Sequence, residues 1–335
     1  RCQYRSFRGF RGNNMLTGML LKSLFSDNMA TILVTGGTGL VGRALTRELT
    51  AQGHQCIVFS RKPASAKGGI RFAAWDPEAG TLDEASLLEA DYIIHLAGAG
   101  VADKRWSPAR KKEILDSRVK SGQLLAQKLT QLPHKVKGLI SASAIGWYGA
   151  DPVIPNPHPF TEENPADRAF LGDTCRQWEA SLSALERSPV RVVKLRIGIV
   201  LSREGGALKE FLKPLQFGVA AVLGTGKQVV SWIHLDDLVN MFIYAMNNDQ
   251  LQGVYNATAP LPVSNRELTI ALAKAKKQFY IPMPVPAFVL KIMMGEMSIE
   301  VLKSATVSSA KIQQAGYIFQ YPEIKKALEK ETQRR

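Results

Sequence analysis

Three glycines near the amino-terminal end of the chain, Gly36, Gly39 and Gly42, have a spacing that suits phosphate binding. They follow Thr31–Thr35, a short β-branched run that is typical of a buried strand, and they precede a helix predicted over Leu40–Gln52. In this context the first glycine permits a tight turn, the second lets the backbone approach a pyrophosphate, and the third packs helix against strand. We therefore predict a dinucleotide site with contacts from Gly36, Thr38, Gly39, Leu40, Val41 and Gly42.

The end of the second predicted strand, Gln55–Ser60, indicates which dinucleotide is preferred. An acidic residue about 20 residues past the glycines would hydrogen-bond the ribose 2′-hydroxyl of NAD(H). This chain has Arg61 and Lys62 there, with no acidic residue nearby. Because a guanidinium binds a 2′-phosphate through its planar fork, the sequence favours NADP(H), with NAD(H) as the alternative. Both cations could also be ordinary surface residues.

Composition narrows the class of protein. The chain has 335 residues, of which 45% are hydrophobic, and a net charge of +14. No apolar run approaches the roughly 18 to 20 residues of a membrane-spanning helix, so we expect no membrane partner. The basic residues are spread along predicted helices without interleaved aromatic residues, so we expect no nucleic-acid partner. The three cysteines lack metal-ligand spacing, which predicts no metal site and a reducing, cytoplasmic location.

Strands and helices alternate from Met29 onward, the pattern of an α/β Rossmann-type fold with a doubly wound parallel sheet. Four further strands are predicted: Ile70–Trp75, Tyr92–Leu96, Val136–Ala142 and Val190–Leu201. We expect a dinucleotide-binding domain over 29–257, with cleft insertions at 150–168 and 205–233. Residues 258–335 should form a smaller, mostly helical lobe on the substrate side.

Residues 1–28 are arginine-rich and almost free of acidic residues. They are either an organelle presequence or upstream sequence that does not belong to the native product, and we favour the second interpretation. We expect a leader that takes no part in the fold.

Several motifs resemble those of extended short-chain dehydrogenases, in the same order along the chain. They are GGTGLVG at 36–42, HLAGAGV at 95–101, SASAIGWYG at 141–149, KLRIGIVLS at 194–202 and WIHLDDL at 232–238. DKRW at 103–106, the Ser117-Arg118 pair and GGAL after the sixth strand resemble, more narrowly, an atypical branch: the NAD-dependent epimerase/dehydratase-like, cell-division-inhibitor-related proteins. Members of that branch end in a small C-terminal domain, which is matched here by roughly Pro284–Glu331.

This resemblance implies further cofactor contacts at the carboxyl ends of the strands. Leu96, Ala97 and Gly98 would line the adenosine side of the pocket, Ser141–Ser143 would lie beside the nicotinamide ribose, and Arg196–Val200 would flank the nicotinamide. The family also implies a possible homodimer, formed through the helices near Ser107–Thr130 and Phe170–Glu186.

The usual catalytic pair of this superfamily, a tyrosine and a lysine four residues later, is missing. Aligning Glu179 with the family's usual glutamate places Leu171 and Cys175 at the two positions, and neither side chain can do that acid–base work. Cys175 instead begins a helical stripe of apolar residues, continued by Trp178, Leu182 and Leu185, which predicts a buried thiol.

Ser143 matches the family's catalytic serine and could polarise a substrate carbonyl. Tyr148 could replace the lost phenol, or it could be an aromatic wall next to Trp147. Other candidates are weaker.

His234 and Asp236 could form an acid–base pair, or Asp236 could cap a helix over Leu238–Asn247, and we favour the second interpretation. Glu162 and Glu163 are candidates by position alone.

Two functions remain open. The first is an NADP(H)-dependent oxidoreductase or epimerase-like enzyme of unknown substrate, with Ser143 polarising a carbonyl and Tyr148 or a water as proton source. The second is a non-catalytic NADP(H)-binding sensor or regulatory module, which the loss of the catalytic pair favours. The retained serine and the second lobe favour the enzyme, and this is our prediction.

Overall fold

A computed structural model describes residues 29–66 and 68–333 of the chain. The expectation for residues 1–28 therefore concerns residues outside the described part. The strands are β1 Thr31–Thr35, β2 Gln55–Ser60, β3 Ile70–Asp76, β4 Thr81–Leu82, β5 Tyr92–His95, β6 Gly138–Ala144, β7 Arg191–Ile197, β8 Ile199–Leu201, β9 Val219–Leu223, β10 Val229–Val230, β11 Trp232–His234, β12 Gly253–Ala257, β13 Val263–Ser264 and β14 Ile281–Val285. The α-helices are α1 Leu40–Ala51, α2 Glu84–Glu89, α3 Pro108–Gln131, α4 Phe170–Ala180, α5 Ala207–Leu215, α6 Leu235–Asn247, α7 Asn265–Ala275, α8 Ala287–Met294, α9 Ser298–Leu302, α10 Ala310–Gln314 and α11 Ile324–Thr332.

The main sheet has eight strands in the order β12-β7-β6-β5-β1-β2-β3-β4. All neighbours are parallel except β3 and β4. From β1 the chain adds β2, β3 and β4 on one side of the sheet, and it then adds β5, β6, β7 and β12 on the other side. The strand order therefore reverses between β1 and β5. Ligands of doubly wound sheets bind at such a switch point, outside the carboxyl ends of the strands. The predicted Rossmann-type fold is confirmed.

The apolar run of β1 is explained by burial on both faces of the sheet. Ile32 and Val34 pack in a cluster with residues of α1 and α6, whereas Leu33 packs on the opposite face with residues of α3. Helices therefore cover both sides of the strand that leads into the glycine loop. Packing on both faces of β1 therefore holds the start of the glycine loop in place.

The second lobe is mostly helical, as predicted, but it contains short strands that the sequence did not indicate. Its core joins residues of α5, β9, α7 and α11 in a single cluster. The insertion 205–233 therefore packs with the C-terminal segment as part of this lobe. Strand β14 pairs in parallel with β9, and β13 pairs with β10. Among the described helices, none is both long and apolar enough to cross a membrane.

Two element predictions are corrected by the structure. The single strand predicted over Val190–Leu201 is broken at Gly198: β7 stays in the main sheet, whereas β8 pairs with β11. A Cβ at Gly198 would lie 2.7 Å from the carbonyl oxygen of Ser231, so the crossing backbones need a glycine there. The helix predicted from Phe170 ends at Ala180, and a 3₁₀ turn follows at Ser183–Arg187.

Candidate functional site

The glycine loop joins β1, α1 and the end of β5 so closely that Gly36 and Gly42 leave no room for a side chain. Gly36 has a φ of +68°, and a Cβ there would lie 2.7 Å from the carbonyl group of Leu96. A Cβ at Gly42 would lie 2.3 Å from the carbonyl oxygen of Gly36. The loop conformation therefore depends on glycine at both positions.

The amino terminus of α1 is open for an anion. Gly39 is the N-cap residue, and no side chain caps this helix, which has no acidic residue in its first turn. A Cβ at Gly39 would meet only one protein atom within 4 Å, the Gly36 carbonyl oxygen at 3.3 Å, so protein packing constrains this glycine less than the other two. The guanidinium of Arg43 donates to the carbonyl oxygen of Thr38 at 2.7 Å and holds the exposed part of the loop. The uncapped N–H groups fit a pyrophosphate.

A buried hydrogen-bond chain fixes the segment after β5. The Thr35 hydroxyl accepts from the backbone N–H groups of Leu96 and Ala97 at 3.1 and 3.2 Å, and it lies 2.8 Å from Nδ1 of His95. Burial, and next the charge of Arg118, lower the pKa of His95 to about 4. Neither Thr35 nor His95 was predicted to have a role in the site.

The next residues are held by the Ser117-Arg118 pair of α3. The Ser117 hydroxyl accepts from the N–H of Ala99, and Arg118 donates to the Ala99 carbonyl oxygen, both at 2.9 Å. Gly98 lies against the same guanidinium, since a Cβ there would be 3.1 Å from Arg118 Cζ. The predicted adenosine-side segment, Leu96–Gly98, is thus fixed by long-range contacts.

Two cationic side chains, Arg61 and Lys62, directly follow the end of β2. Arg61 and Lys62 are both exposed, in a turn in which the Lys62 N–H donates to the Ser60 hydroxyl. The pKa of Glu113 is lowered by its hydrogen bond from Arg110 and further by the charges of Lys104 and Arg61. Arg61 therefore lies close enough to the start of α3 to act on Glu113. This acidic group is already paired with Arg110 at 2.7 Å.

The nicotinamide side predicted from the motifs contains a buried ion pair. Arg196 donates to Glu179 through Nε at 2.8 Å and Nη2 at 3.0 Å, and the Ser143 hydroxyl donates to Glu179 Oε1 at 2.7 Å. The side chains of Arg196 and Glu179 are only 3% and 8% exposed. Ser141 is also buried, and its hydroxyl donates to a backbone carbonyl. The contacts of Ser141 and Arg196 with a dinucleotide stay predictions.

Tyr148 has no exposed surface. Its hydroxyl donates to Asn256 Oδ1 at 2.7 Å and accepts from Arg196 Nη1 at 3.1 Å. Burial raises the pKa of Tyr148, and the guanidinium of Arg196 lies 3.6 Å from the ring centre of Trp147. These contacts hold the Tyr148 side chain within the protein. A role in proton transfer stays a prediction that nothing in the geometry favours.

The weaker candidates have structural roles. His234, and not Asp236, is the N-cap of α6: its Nδ1 accepts from the N–H of Asp236 at 3.1 Å. The helix consequently starts at Leu235 instead of Leu238. Glu162 accepts from the N–H of Asn256 at 2.7 Å.

The remaining candidates give no catalytic arrangement. The buried stripe that begins at Cys175 is confirmed, and burial raises the pKa of this thiol to about 12. Glu163 is exposed. No cluster of three or more His, Cys, Asp or Glu side chains suits a metal ion within 29–66 and 68–333.

Comparisons with known proteins cover most of the chain. Residues 32–258 match the model of the NAD dependent epimerase/dehydratase family, and residues 285–331 match a domain of unknown function, DUF1731. A relative from Arabidopsis thaliana, described as "Epimerase family protein SDR39U1 homolog, chloroplastic", is 34% identical over 319 residues, which span 92% of this chain and 89% of the relative.

Solved structures of related proteins share the fold of this chain. The crystal structure of human epimerase family protein SDR39U1 with NADPH has a TM-score of 0.80 at 31% identity, over 90% of this chain and 99% of the human chain. UDP-glucose 4-epimerase from Thermus thermophilus, in complex with NAD, has a TM-score of 0.72 at 19% identity, over 90% and 97% of the two chains. At that identity the second likeness shows the fold alone.

Proposed function

Since the chain belongs to the NAD dependent epimerase/dehydratase family, we propose that it binds NADP(H) and acts as an oxidoreductase or epimerase-like enzyme on a small molecule. The observation that carries NADP(H) over NAD(H) is the cation cluster at the end of β2. Arg61 and Lys104 both act on Glu113, whose carboxylate is paired with Arg110, and Arg61 and Lys62 are exposed to a 2′-phosphate. The human relative whose structure contains NADPH supports the same cofactor.

The chain's own groups fit each part of the dinucleotide. The uncapped N–H groups of α1 would hold the pyrophosphate, and the fixed segment Leu96–Gly98 would line the adenosine. Arg61 and Lys62 would bind the 2′-phosphate. When bound, the dinucleotide supplies hydride chemistry at its nicotinamide. The protein supplies position and polarity.

Ser143 is the residue that we propose contacts the substrate. A serine hydroxyl has one hydrogen and two acceptor lone pairs, and here the hydrogen points to Glu179. Arg196 donates two hydrogen bonds to that carboxylate. Ser143 can therefore accept a hydrogen bond from a substrate hydroxyl, whereas polarising a carbonyl requires its hydrogen to turn away from Glu179. The Tyr148 hydroxyl accepts a hydrogen bond from Arg196 and so helps to hold that guanidinium in position.

A non-catalytic NADP(H) sensor is the second candidate, and one observation favours it. The hydroxyl hydrogens of Ser143 and Tyr148 and the guanidinium of Arg196 all bond to protein groups. The polar groups on the nicotinamide side are thus occupied before any substrate arrives.

Cofactor choice is tested by calorimetric titration of the purified chain with NADPH and with NADH. A charged hydrogen bond contributes about 1.5 to 3 kcal/mol, so Arg61→Ala should weaken NADPH binding by roughly one to two orders of magnitude. NADH binding should stay nearly constant. Arg71→Ala, an exposed arginine on β3, is the matched control. Equal losses for both dinucleotides in Arg61→Ala would refute the proposed 2′-phosphate contact.

Catalysis is tested by following NADPH absorbance with a panel of carbonyl compounds, and by chromatography of the products formed from nucleotide sugars with NADP⁺, because an epimerisation returns the hydride and leaves the absorbance unchanged. For an enzyme, Ser143→Ala should lower turnover and leave NADPH affinity unchanged. Saturable NADPH binding without turnover on any panel member would support the sensor. The cytoplasmic location and the homodimer stay predictions, and the Arabidopsis relative is described as chloroplastic.

A further inference from the structure

An uncovered apolar surface lies on the second lobe. Phe217 and Phe279 are 85% and 81% exposed. They are neighbours in space, because the N–H of Ile281 donates to the Gly218 carbonyl oxygen at 2.8 Å and Ile281 pairs with Val219. Two exposed phenylalanines thus lie close together along the chain ends of one small sheet.

The same sheet continues the apolar surface. Its register places Ile281 opposite Val219 and Met283 opposite Ala221. Side chains alternate across a strand, so these residues share one face, while the buried Ala220 faces the core. Ile281 and Met283 are exposed on this face.

Helix α8 extends the surface directly after β14. Its sequence AFVLKIMM buries one residue, Leu290, whereas Phe288, Ile292 and Met293 are exposed by 64%, 70% and 67%. We call the whole surface the lobe face, defined by its exposed members Phe217, Phe279, Ile281, Met283, Phe288, Ile292 and Met293. Large exposed apolar surface on a folded protein marks an interaction site.

The two chain segments that carry the lobe face are rich in lysine. Residues 207–223 and 274–294 hold six lysines and one acidic residue, Glu210. Lys213 pairs with Glu210. The other five, Lys209, Lys274, Lys276, Lys277 and Lys291, have no acidic partner within 4 Å among the described residues. Lys291 lies on α8 between Phe288 and Ile292, so charge and apolar groups alternate on one helix.

We infer that the lobe face docks the protein on an anionic lipid surface. Apolar side chains of an interfacial helix enter the boundary between headgroups and acyl chains, while lysines reach anionic headgroups. This inference differs from the expectation of no membrane partner, which considered only spanning helices. It is independent of the proposed function.

A second copy of this chain is a poorer occupant of the lobe face. An isologous contact places the same surface on both sides. Five unpaired lysines would then face five others, with a single paired glutamate on each side. Anionic lipid headgroups complement the same charges.

Vesicle flotation of the full chain tests the inference. Vesicles of phosphatidylcholine mixed with phosphatidylglycerol should carry the protein upward in a density gradient, whereas phosphatidylcholine alone should carry little. Phe217→Ser with Phe279→Ser should lower the partition coefficient by roughly a hundredfold, given the transfer energy of two aromatic side chains. Lys277→Glu with Lys291→Glu should lower it by roughly thirtyfold or more, and added salt should weaken binding of the unmodified protein.

Two controls match these variants in chemistry and lie outside the lobe face. Ile318→Ser removes an 86% exposed apolar residue elsewhere on the C-terminal segment, and Lys137→Glu with Arg187→Glu makes the same charge change at exposed positions near the amino ends of β6 and β7. Both should float like the unmodified protein, and all variants should keep their NADPH-induced melting shift. The inference fails if the unmodified protein does not float with anionic vesicles, or if the phenylalanine variant floats equally well. A dimer that dissociates in the phenylalanine variant, without vesicle binding, would assign the face to a second copy instead.

Discussion

The buried histidine at the end of β5 should make the protein lose stability as the pH falls. The Thr35 hydroxyl accepts two backbone N–H groups, so its single hydrogen points to Nδ1 of His95. Nδ1 therefore carries no proton, and the ring is neutral. A second ring proton would oppose the hydroxyl hydrogen in a site with no solvent exposure. This arrangement agrees with a pKa of about 4, which burial and then the charge of Arg118 produce.

The direction of the pH effect on stability follows from the two pKa values of His95. In the unfolded chain the pKa is about 6.5, and in the folded chain it is about 4. Above the higher value the ring is neutral in both states and costs nothing. Between the two values the unfolded chain binds a proton that the folded chain does not, so stability falls as the pH falls. At about 1.4 kcal/mol per pKa unit, the full loss is about 3 kcal/mol.

Urea unfolding followed by circular dichroism measures this loss. Between pH of about 7 and about 4.5, the unmodified protein should lose about 2.5 kcal/mol more than His95→Gln, whose side chain does not titrate. Using the difference between two pH values removes the constant cost of the substitution. His158→Gln, at an exposed histidine, should behave like the unmodified protein. If the unmodified protein and His95→Gln lose the same stability, the proposed neutral ring in the Thr35 network is wrong.

Two further predictions concern the glycine loop and the buried ion pair. A Cβ at Gly42 would lie 2.3 Å from a backbone oxygen, whereas one at Gly205 would make an ordinary 3.6 Å contact. Gly42→Ala should thus abolish the NADPH-induced melting shift and Gly205→Ala should keep it; a retained shift in Gly42→Ala would contradict the packing argument. Glu179→Gln leaves the buried Arg196 without its carboxylate and should cost about 3 to 5 kcal/mol in urea unfolding. Asp173→Asn, in a surface pair, should cost at most about 1 kcal/mol, and equal costs would show that burial of the pair has no consequence.

The parts of the fold that could be predicted are those with a local pattern. Thr31–Thr35 is an unbroken apolar run because helices cover both faces of β1, and the glycines follow it at the spacing that the turn requires. A serine followed by proline is likewise a local signal for a helix start, and α3 begins at such a pair, with the Ser107 hydroxyl accepting from the N–H of Arg110. Each of these signals lies within a few residues of the structure that it specifies.

The parts that could not be predicted depend on residues far apart in the chain. Thr35 and His95 are 60 residues apart, and Glu179 and Arg196 are 17 apart on different elements. No periodicity connects such partners. The break at Gly198 has the same cause, because its reason is the carbonyl group of Ser231 on a neighbouring strand. Local patterns therefore predicted the strand, the glycine loop and the helix that follows it, but left the polar network of the site unassigned.

Leu171 and Cys175, which occupy the positions of the family's catalytic pair, pack against the turn after β6. A Cβ at Gly146 would lie 3.3 Å from Leu171 Cβ and 3.6 Å from Cys175 Sγ, so the turn after β6 rests directly on this face of α4. A tyrosine and a lysine would need that volume, and the lysine would place a charge where burial raises the pKa of a thiol to about 12. Restoring the two side chains would therefore also require a new backbone path after β6. The chain keeps the backbone geometry of the glycine loop, while apolar packing occupies the two positions of the catalytic pair.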